Sequence, residues 1–557
     1  MCFSCGLEIC ATLEVDGGWA CCLRLFLEYM LLNPCGLAMG GVPLPLDSGP
    51  VMLFARLSNI LADGEGHMKA FDWKGASALK PCLKHGNVTK KVGRSRGSVT
   101  SGYVIVGVQF YRGVTSVETV LCPRGTAHPV AQPKVPSSSA TDLDQGSDLA
   151  SRATGFVEIS CSNAASFRTN LDFRKNARLL HLASARFSAG EMSKATFDEL
   201  QIASGFRHNP YSIALSEPLR LLFQLPDVIN YDWVHSALQG GTFTSEVEAF
   251  LEATAVPRAD IHDFLANSEW QYPGCTRQKS KFLHRVFDDQ RAKASQEPGT
   301  VKASCSELLG LYGILRVFFE LRFAEVDEFK QHLESFCQAC SVLDMILDLK
   351  RGLQPINPDT IAGLQACMGR HLQKHVEVYT DAHVLPKHHW MLDTPAQFLK
   401  DSVVLDAFVI ERTHLAVKGL AEHVKNIRVF ERSVLSGMLC CLADADDEMS
   451  SCRLLGRTSV LPGTFARVAD RAVVYGMEFA VGDVILRGPA VGLLKACALE
   501  NGELTFMVQE LRFVRDFTRC CGSYEQSPGL VLWSAIETCH ALAWRIRLDG
   551  SFFVVCR

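Results

Sequence analysis

The sequence predicts a chain of α/β plus all-α character that ends in a β-rich domain, and three observations carry this. Residues 176–380 are dominated by apolar positions at helical spacing. After about 455 the pattern turns to short β-like runs separated by glycine. Near the start, the apolar run VMLFARLSNILAD (51–63) reads as a buried strand or a short helix that closes at Asp63-Gly64. At 557 residues the chain exceeds one hydrophobic core and predicts two to four domains.

Composition narrows the class. With 48 % apolar and 21 % charged residues, this is an ordinary globular balance, not a disordered one. The net charge of −4 gives no overall drive toward nucleic acid, so any such contact must come from local patches. The most apolar stretch, 306–323, is broken by Arg316, Glu320 and Arg322 and predicts a buried helix rather than a membrane span. The start, MCFSCGLEICATLEVDGG, lacks the basic flank and apolar core of a secretory signal. The 22 cysteines are therefore expected as free core thiols in a nuclear or cytoplasmic protein. Cys2 and Cys5 form a lone C-x-x-C with Cys10, Cys21 and Cys22 nearby, and a zinc site would need a second well-spaced pair that is missing there.

Taken in order, residues 20–45 look helical and then proline-punctuated, with GGVPLPLDSGP ending in a turn. Cys82 and His85 sit in a loop after Pro81. Residues 96–154 open on SGYVIVGVQFYRGVTSVETV, which suits two strands, and continue as a Pro/Ser-rich stretch expected to be a mobile insertion. Helices are predicted over 193–204, 244–255, 326–349 and 358–380, with caps at Thr244-Ser245 and Asn357-Pro358-Asp359. RQKSKFLHRVFDDQRAK (277–293) predicts a basic helix, read either as a solvated surface or as a nucleic-acid contact through Arg277, Lys279, Lys281 and Arg285. Residues 387–426 set Lys387, His388, His389 and Trp390 before a long helix. In that helix Ile410, Val417, Ala421 and Val424 predict the buried stripe, while Glu411, Arg412 and Lys418 lie among the charged positions. Lys387, Arg412 and Lys418 complete the candidate nucleic-acid contacts.

Three acids suit metal-dependent phosphodiester chemistry, which needs hard oxygen ligands around Mg²⁺ or Mn²⁺. Asp63 closes the strand-like run, Asp232 precedes Trp233 with His235 three residues on, and Glu411 lies on the helix. The plainer readings are a turn at Asp63, a helix cap at Asp232, a half-buried histidine at 235 and a solvated face at Glu411. His371 and His375, with His383 beyond, lack the acid of an HExxH pattern and are expected at the surface.

Three blocks in matching order resemble the transposases of CACTA (En/Spm-type) DNA transposons. NYDWVH resembles their D-x-x-H block, and KHHWMLDTPAQFLKDSVVLDAFVIERTH their later histidine-bearing helix and Phe-Glu-Arg-like run. VMLFARLSNILADGEG with KGASALKPCLKH resembles the strand–Asp–KG…C-x-x-C block, here with His85 at the second cysteine position. The resemblance implies a ribonuclease-H-like remnant with a large helical insertion. It divides the chain into 1–95 (first part of the core), 96–154 (insertion), 155–386 (mainly helical insertion), 387–440 (helix completing the core) and 455–557 (small β-rich domain). It implies DNA as partner and Mg²⁺ or Mn²⁺ held by Asp63 as second aspartate and Glu411. Asp232 belongs to the same catalytic set, with His235, Cys82 and His85 supporting. The first aspartate has only Asp16 as a stand-in, so the implied protein is a truncated, inactive copy. The alternative is a non-catalytic nucleic-acid-binding or helical interaction scaffold. Neither a small-molecule substrate nor an oligomeric state is indicated.

Overall fold

A computed structural model describes residues 18–46, 49–75, 78, 82–85, 119–121, 127–129, 156–158, 169–267, 270–271, 283–288, 300–380, 383–424, 432–440, 452–460, 466–474, 477–518, 521–535, 540–542, 544–546 and 550–555. The chain divides into two discontinuous units. One joins the described residues up to Ser245 with Met345–Phe408, and the other joins Glu246–Asp344 with Val409–Arg557. The cuts fall within helices, not at the 386/387 boundary drawn from sequence.

In the first unit, the helix Gly18–Leu27 leads to two short strands, β1 (Val42–Leu46) and β2 (Gly49–Leu53), paired antiparallel. The proline-rich turn and the start of the buried run expected there are thus a hairpin, and Val51, Met52 and Phe54 are exposed. Only β3 (Ile60–Ala62) forms a strand within the rest of that run. Asp63 then caps the helix Gly64–Phe71, its Oδ1 accepting from Gly66 N–H at 2.6 Å. Within 96–154 the described pieces β4 (Thr119–Leu121) and β5 (Ala127–Pro129) pair antiparallel, and β4 also pairs with β6 (Phe156–Glu158). The expected mobility of that insertion lies outside the described residues.

The helix Asn170–Ser188 begins on a capping box between Thr169 and Asp172, and Lys194–Ser204 on a Ser193 cap. Strand β7 (Ile229–Tyr231) is fully buried and pairs with β3 in parallel, Ile60 opposite Ile229 and Ala62 opposite Tyr231. Such pairing fits the expected α/β character, since parallel strands require a long crossover. Around it the core gathers Leu27, Phe71, Trp73, Phe173, Tyr231 and Trp390. The helix Pro358–Tyr379 starts at the predicted Asn357 cap. It buries His371 and His375, which corrects their expected surface placement.

In the second unit, Cys305–Phe323 is the buried helix predicted, with Arg316 paired to Glu320 at 3.2 Å and to Asp344 at 3.4 Å. No described helix is long and apolar enough to cross a membrane. The helix Thr242–Thr254, which spans the two units, starts ahead of its expected Thr244-Ser245 cap. The expected basic helix is instead, where described, a five-residue 3₁₀ turn, Leu283–Phe287. It buries Leu283, Val286 and Phe287 and leaves Arg285 exposed. Arg277, Lys279 and Lys281 lie outside the described residues. The predicted β-rich tail is a ten-stranded antiparallel sheet with a three-stranded companion. Its longest strands, Ala490–Glu500 and Glu503–Thr518, are joined through Asn501-Gly502, both at positive φ (52° and 84°). Asn-Gly adopts that left-handed turn at least cost, matching the twist of the strands. Trp533, Phe506, Val508 and Leu494 pack its core.

Candidate metal centre

Strand β7 and the helix Pro386–Asp401 position one buried cluster. The helix opens with Pro386 at its first position, where a missing N–H costs nothing, and His388 Nδ1 accepts from Leu385 N–H at 3.0 Å. Its inner face then carries His389, Asp393 and Gln397 at four-residue spacing. Gln397 grips the backbone of Tyr231 on both sides, accepting from its N–H at 2.9 Å and donating to its carbonyl at 3.0 Å. Trp390 stacks on the Tyr231 ring at 5.2 Å and leans on Trp73 at 5.4 Å. The helix is thereby locked in rotation as well as position.

Against it sits the turn Cys82–His85. His85 N–H donates to Cys82 Sγ at 3.3 Å, which folds the C-x-x-H segment onto its own sulfur. Leu83 N–H donates to the Tyr231 hydroxyl at 3.1 Å, and that hydroxyl lies 3.5 Å from Cys82 Sγ. Three donor atoms converge: Cys82 Sγ lies 3.3 Å from His85 Nδ1 and 3.1 Å from His389 Nε2, and the two ring nitrogens lie 3.1 Å apart. Asp393 Oδ2 stands 3.8 Å from His85 Nδ1. All four side chains are buried, and their ligand atoms lie within 4.8 Å of one another. Tetrahedral zinc with ordinary bond lengths sets neighbouring donors about 3.3–3.6 Å apart. The cluster is within a few tenths of an ångström of that.

Electrostatics agree. Burial by itself would push the Cys82 thiol up, yet the charges and hydrogen bonds of His389 and His85 outweigh it and bring the thiol well below its ordinary value. A thiolate is the form a metal takes. Tyr231 moves the opposite way, raised by burial and by Cys82, so it stays a neutral phenol. Lys84, lowered by burial, donates to Gln397 Oε1 at 3.0 Å and lies 5.7 Å from the Tyr231 ring centroid. One thiolate and one carboxylate would neutralise a divalent ion, removing most of the penalty for burying it. Thiolate and imidazole are soft to borderline donors that suit zinc rather than Mg²⁺ or Mn²⁺.

The other sequence-predicted residues fall elsewhere. Asp63 and Asp232 follow the ends of the neighbouring parallel strands β3 and β7, and Asp232 N–H donates to Ala62 O at 3.4 Å. Asp232 is buried and caps the helix Trp233–Ala237, as its plainer reading held. It accepts from His235 N–H and Ala407 N–H, both at 3.0 Å, and the His235 ring contacts the same carboxylate. Glu411 and Arg412 lie on the helix Phe408–His423, but their side chains are outside the described residues. Lys418 is exposed, and Val417 packs with Val434 and Met438 beside Ala421 and Val424, as expected of that stripe. Lys387 is tied to the Gln239 carbonyl. His388, His389 and Trp390 are buried, so this basic entry faces the core and corrects its reading as a nucleic-acid contact.

Sequence reasoning singled out Cys82 and His85 but missed His389 and Asp393 as their partners. The available signal was a histidine and an acid four apart on a helix, downstream of a C-x-x-H turn. No family model, curated protein or solved structure matches this chain.

Proposed function

We propose that the first unit is a zinc-stabilised module, with Cys82, His85, His389 and Asp393 holding one structural Zn²⁺. The observation that carries this is the convergence of three buried donor atoms, 3.1–3.3 Å apart, on a thiolate-favouring cysteine. Four protein ligands fill a tetrahedral sphere and leave no open position, which marks a structural site rather than a catalytic one. Its effect is to pin the Cys82 turn and the Pro386–Asp401 helix onto β7. Cobalt substitution tests it. Metal-free protein titrated with Co²⁺ gives an intense thiolate charge-transfer band and tetrahedral visible bands, and Cys82→Ser removes the former. A weak, octahedral spectrum, or one unchanged in Cys82→Ser, contradicts the assignment.

A second reading, descent from a CACTA-type transposase with lost strand-transfer activity, is supported by the placement of Asp63 and Asp232 at adjacent parallel strand ends. The saturation of Asp232 by His235 and Ala407 favours the inactive form, because a metal would have to displace these donors. Nicking of DNA with Mg²⁺ or Mn²⁺ by the purified chain, lost in Glu411→Gln, would restore the catalytic version. Equal results for the two chains are expected.

A further inference from the structure

The geometry points to a phosphate-binding site on the helix Asn170–Ser188, formed by Arg174, Arg178 and Arg220. It is independent of the zinc reading and lies outside the basic segments singled out from sequence. Arg174 and Arg178 are four residues apart, so they share one helix face. Among the described residues neither makes a hydrogen bond or ion pair, and Arg178 is exposed. Arg220 is brought beside them by the start of the same helix. Asn170 Nδ2 donates to the carbonyls of Arg220 (3.1 Å) and Phe223 (2.8 Å), while Asn170 Oδ1 accepts from Leu225 N–H at 2.6 Å. That places the Arg220 backbone against the first turn, one turn before Arg174.

The Arg220 guanidinium is the informative member. Its Nε is buried and donates to nothing among the described residues. Its one ion-pair partner there is Glu217, 3.9 Å away and 70 % exposed. Burial first, and then the charges of Arg174 and Arg178, lower its basicity, so the three cations act on one region. The nearby Asp172 is occupied by the Thr169 capping box and does not neutralise them. Buried charged donors ordinarily have an acceptor. Three planar forks match the several oxygens of a phosphate, each able to bond bidentately, better than the two oxygens of a carboxylate. The phosphate could come from free phosphate or from a nucleic-acid backbone, which present the same oxygens.

Both sources are tested on the full chain, using inorganic phosphate and a fluorescent 20-nucleotide single strand as probes. Three variants are compared: Arg174→Gln/Arg178→Gln, Arg220→Lys, and the neighbouring Lys175→Gln as control, each checked for its fold by circular dichroism. We expect about tenfold weaker binding in the double variant and in Arg220→Lys, which keeps the charge but loses the fork, with the control within about twofold. If the single strand binds, its salt slope should fall by about two in the double variant. Binding of the strand without phosphate assigns a diester backbone, and binding or competition by phosphate assigns the free anion. The site is overturned if neither probe binds the unmodified chain, or if the double variant and a folded Arg220→Lys keep full affinity.

Discussion

His67 shows what burial does to a single group in the first unit. It is wholly enclosed, with Nε2 2.9 Å from the Asn230 carbonyl, and burial lowers its pKa to about 4 against the partial restoring pull of that carbonyl. The folded chain therefore lacks a proton that the unfolded chain takes up below about 6.5. Stability contributed by the neutral ring is present above pH 6.5, falls as pH drops, and is lost by about pH 4, to the extent of about 3 kcal/mol. Denaturant midpoints at pH 7 and pH 4.5 should show this fall, and His67→Gln should remove most of it; an unchanged pH dependence would refute it. The two aspartates at the strand ends differ in the same currency. Asp63→Ala removes a half-buried cap and should cost about 1 kcal/mol. Asp232→Ala strips a buried carboxylate from two backbone donors and the His235 ring, and should cost about 3 kcal/mol. Thermal melts that rank them in the reverse order would contradict their placement.

Among the elements, the Pro386–Asp401 helix does most to order the candidate centre, because one face carries both ligands and the Gln397 grip on Tyr231. Gln397→Ala leaves every ligand in place and should still weaken zinc about 10- to 100-fold, read by competition with a chromophoric chelator. Unchanged affinity would mean that helix orientation is set elsewhere. Which elements were legible follows from their physics. The Lys194–Ser204 and Pro358–Tyr379 helices showed in the sequence because Ser193 and Asn357 cap them ahead of periodic apolar positions. The β1–β2 hairpin did not, because prolines normally argue against strands and are tolerated only at edges. The zinc ligands were half legible. Cys82 and His85 stand in one turn, but His85 and His389 are 304 residues apart, and only the fold makes them neighbours. Local charge also misled at Lys387–Trp390, where a basic, aromatic string turns inward to cap, to pack and to supply His389.

Across the molecule, the two units are built from interleaved stretches of chain, and the zinc quartet belongs wholly to one of them. Chelation should accordingly raise hydrogen exchange in Cys82–His85, β7 and the Pro386–Asp401 helix, while the Ala490–Glu500 and Glu503–Thr518 strands keep their protection. A uniform change across both units would argue against a local clamp. The most direct measurement is the metal content of the purified chain by inductively coupled plasma mass spectrometry, beside Cys82→Ser/His389→Ala. About one zinc per chain, lost in the double variant while the fold of the sheet persists, is the result expected of a four-ligand structural site. Chain that binds no zinc when supplied with it, or a double variant that retains a full equivalent, would contradict the account.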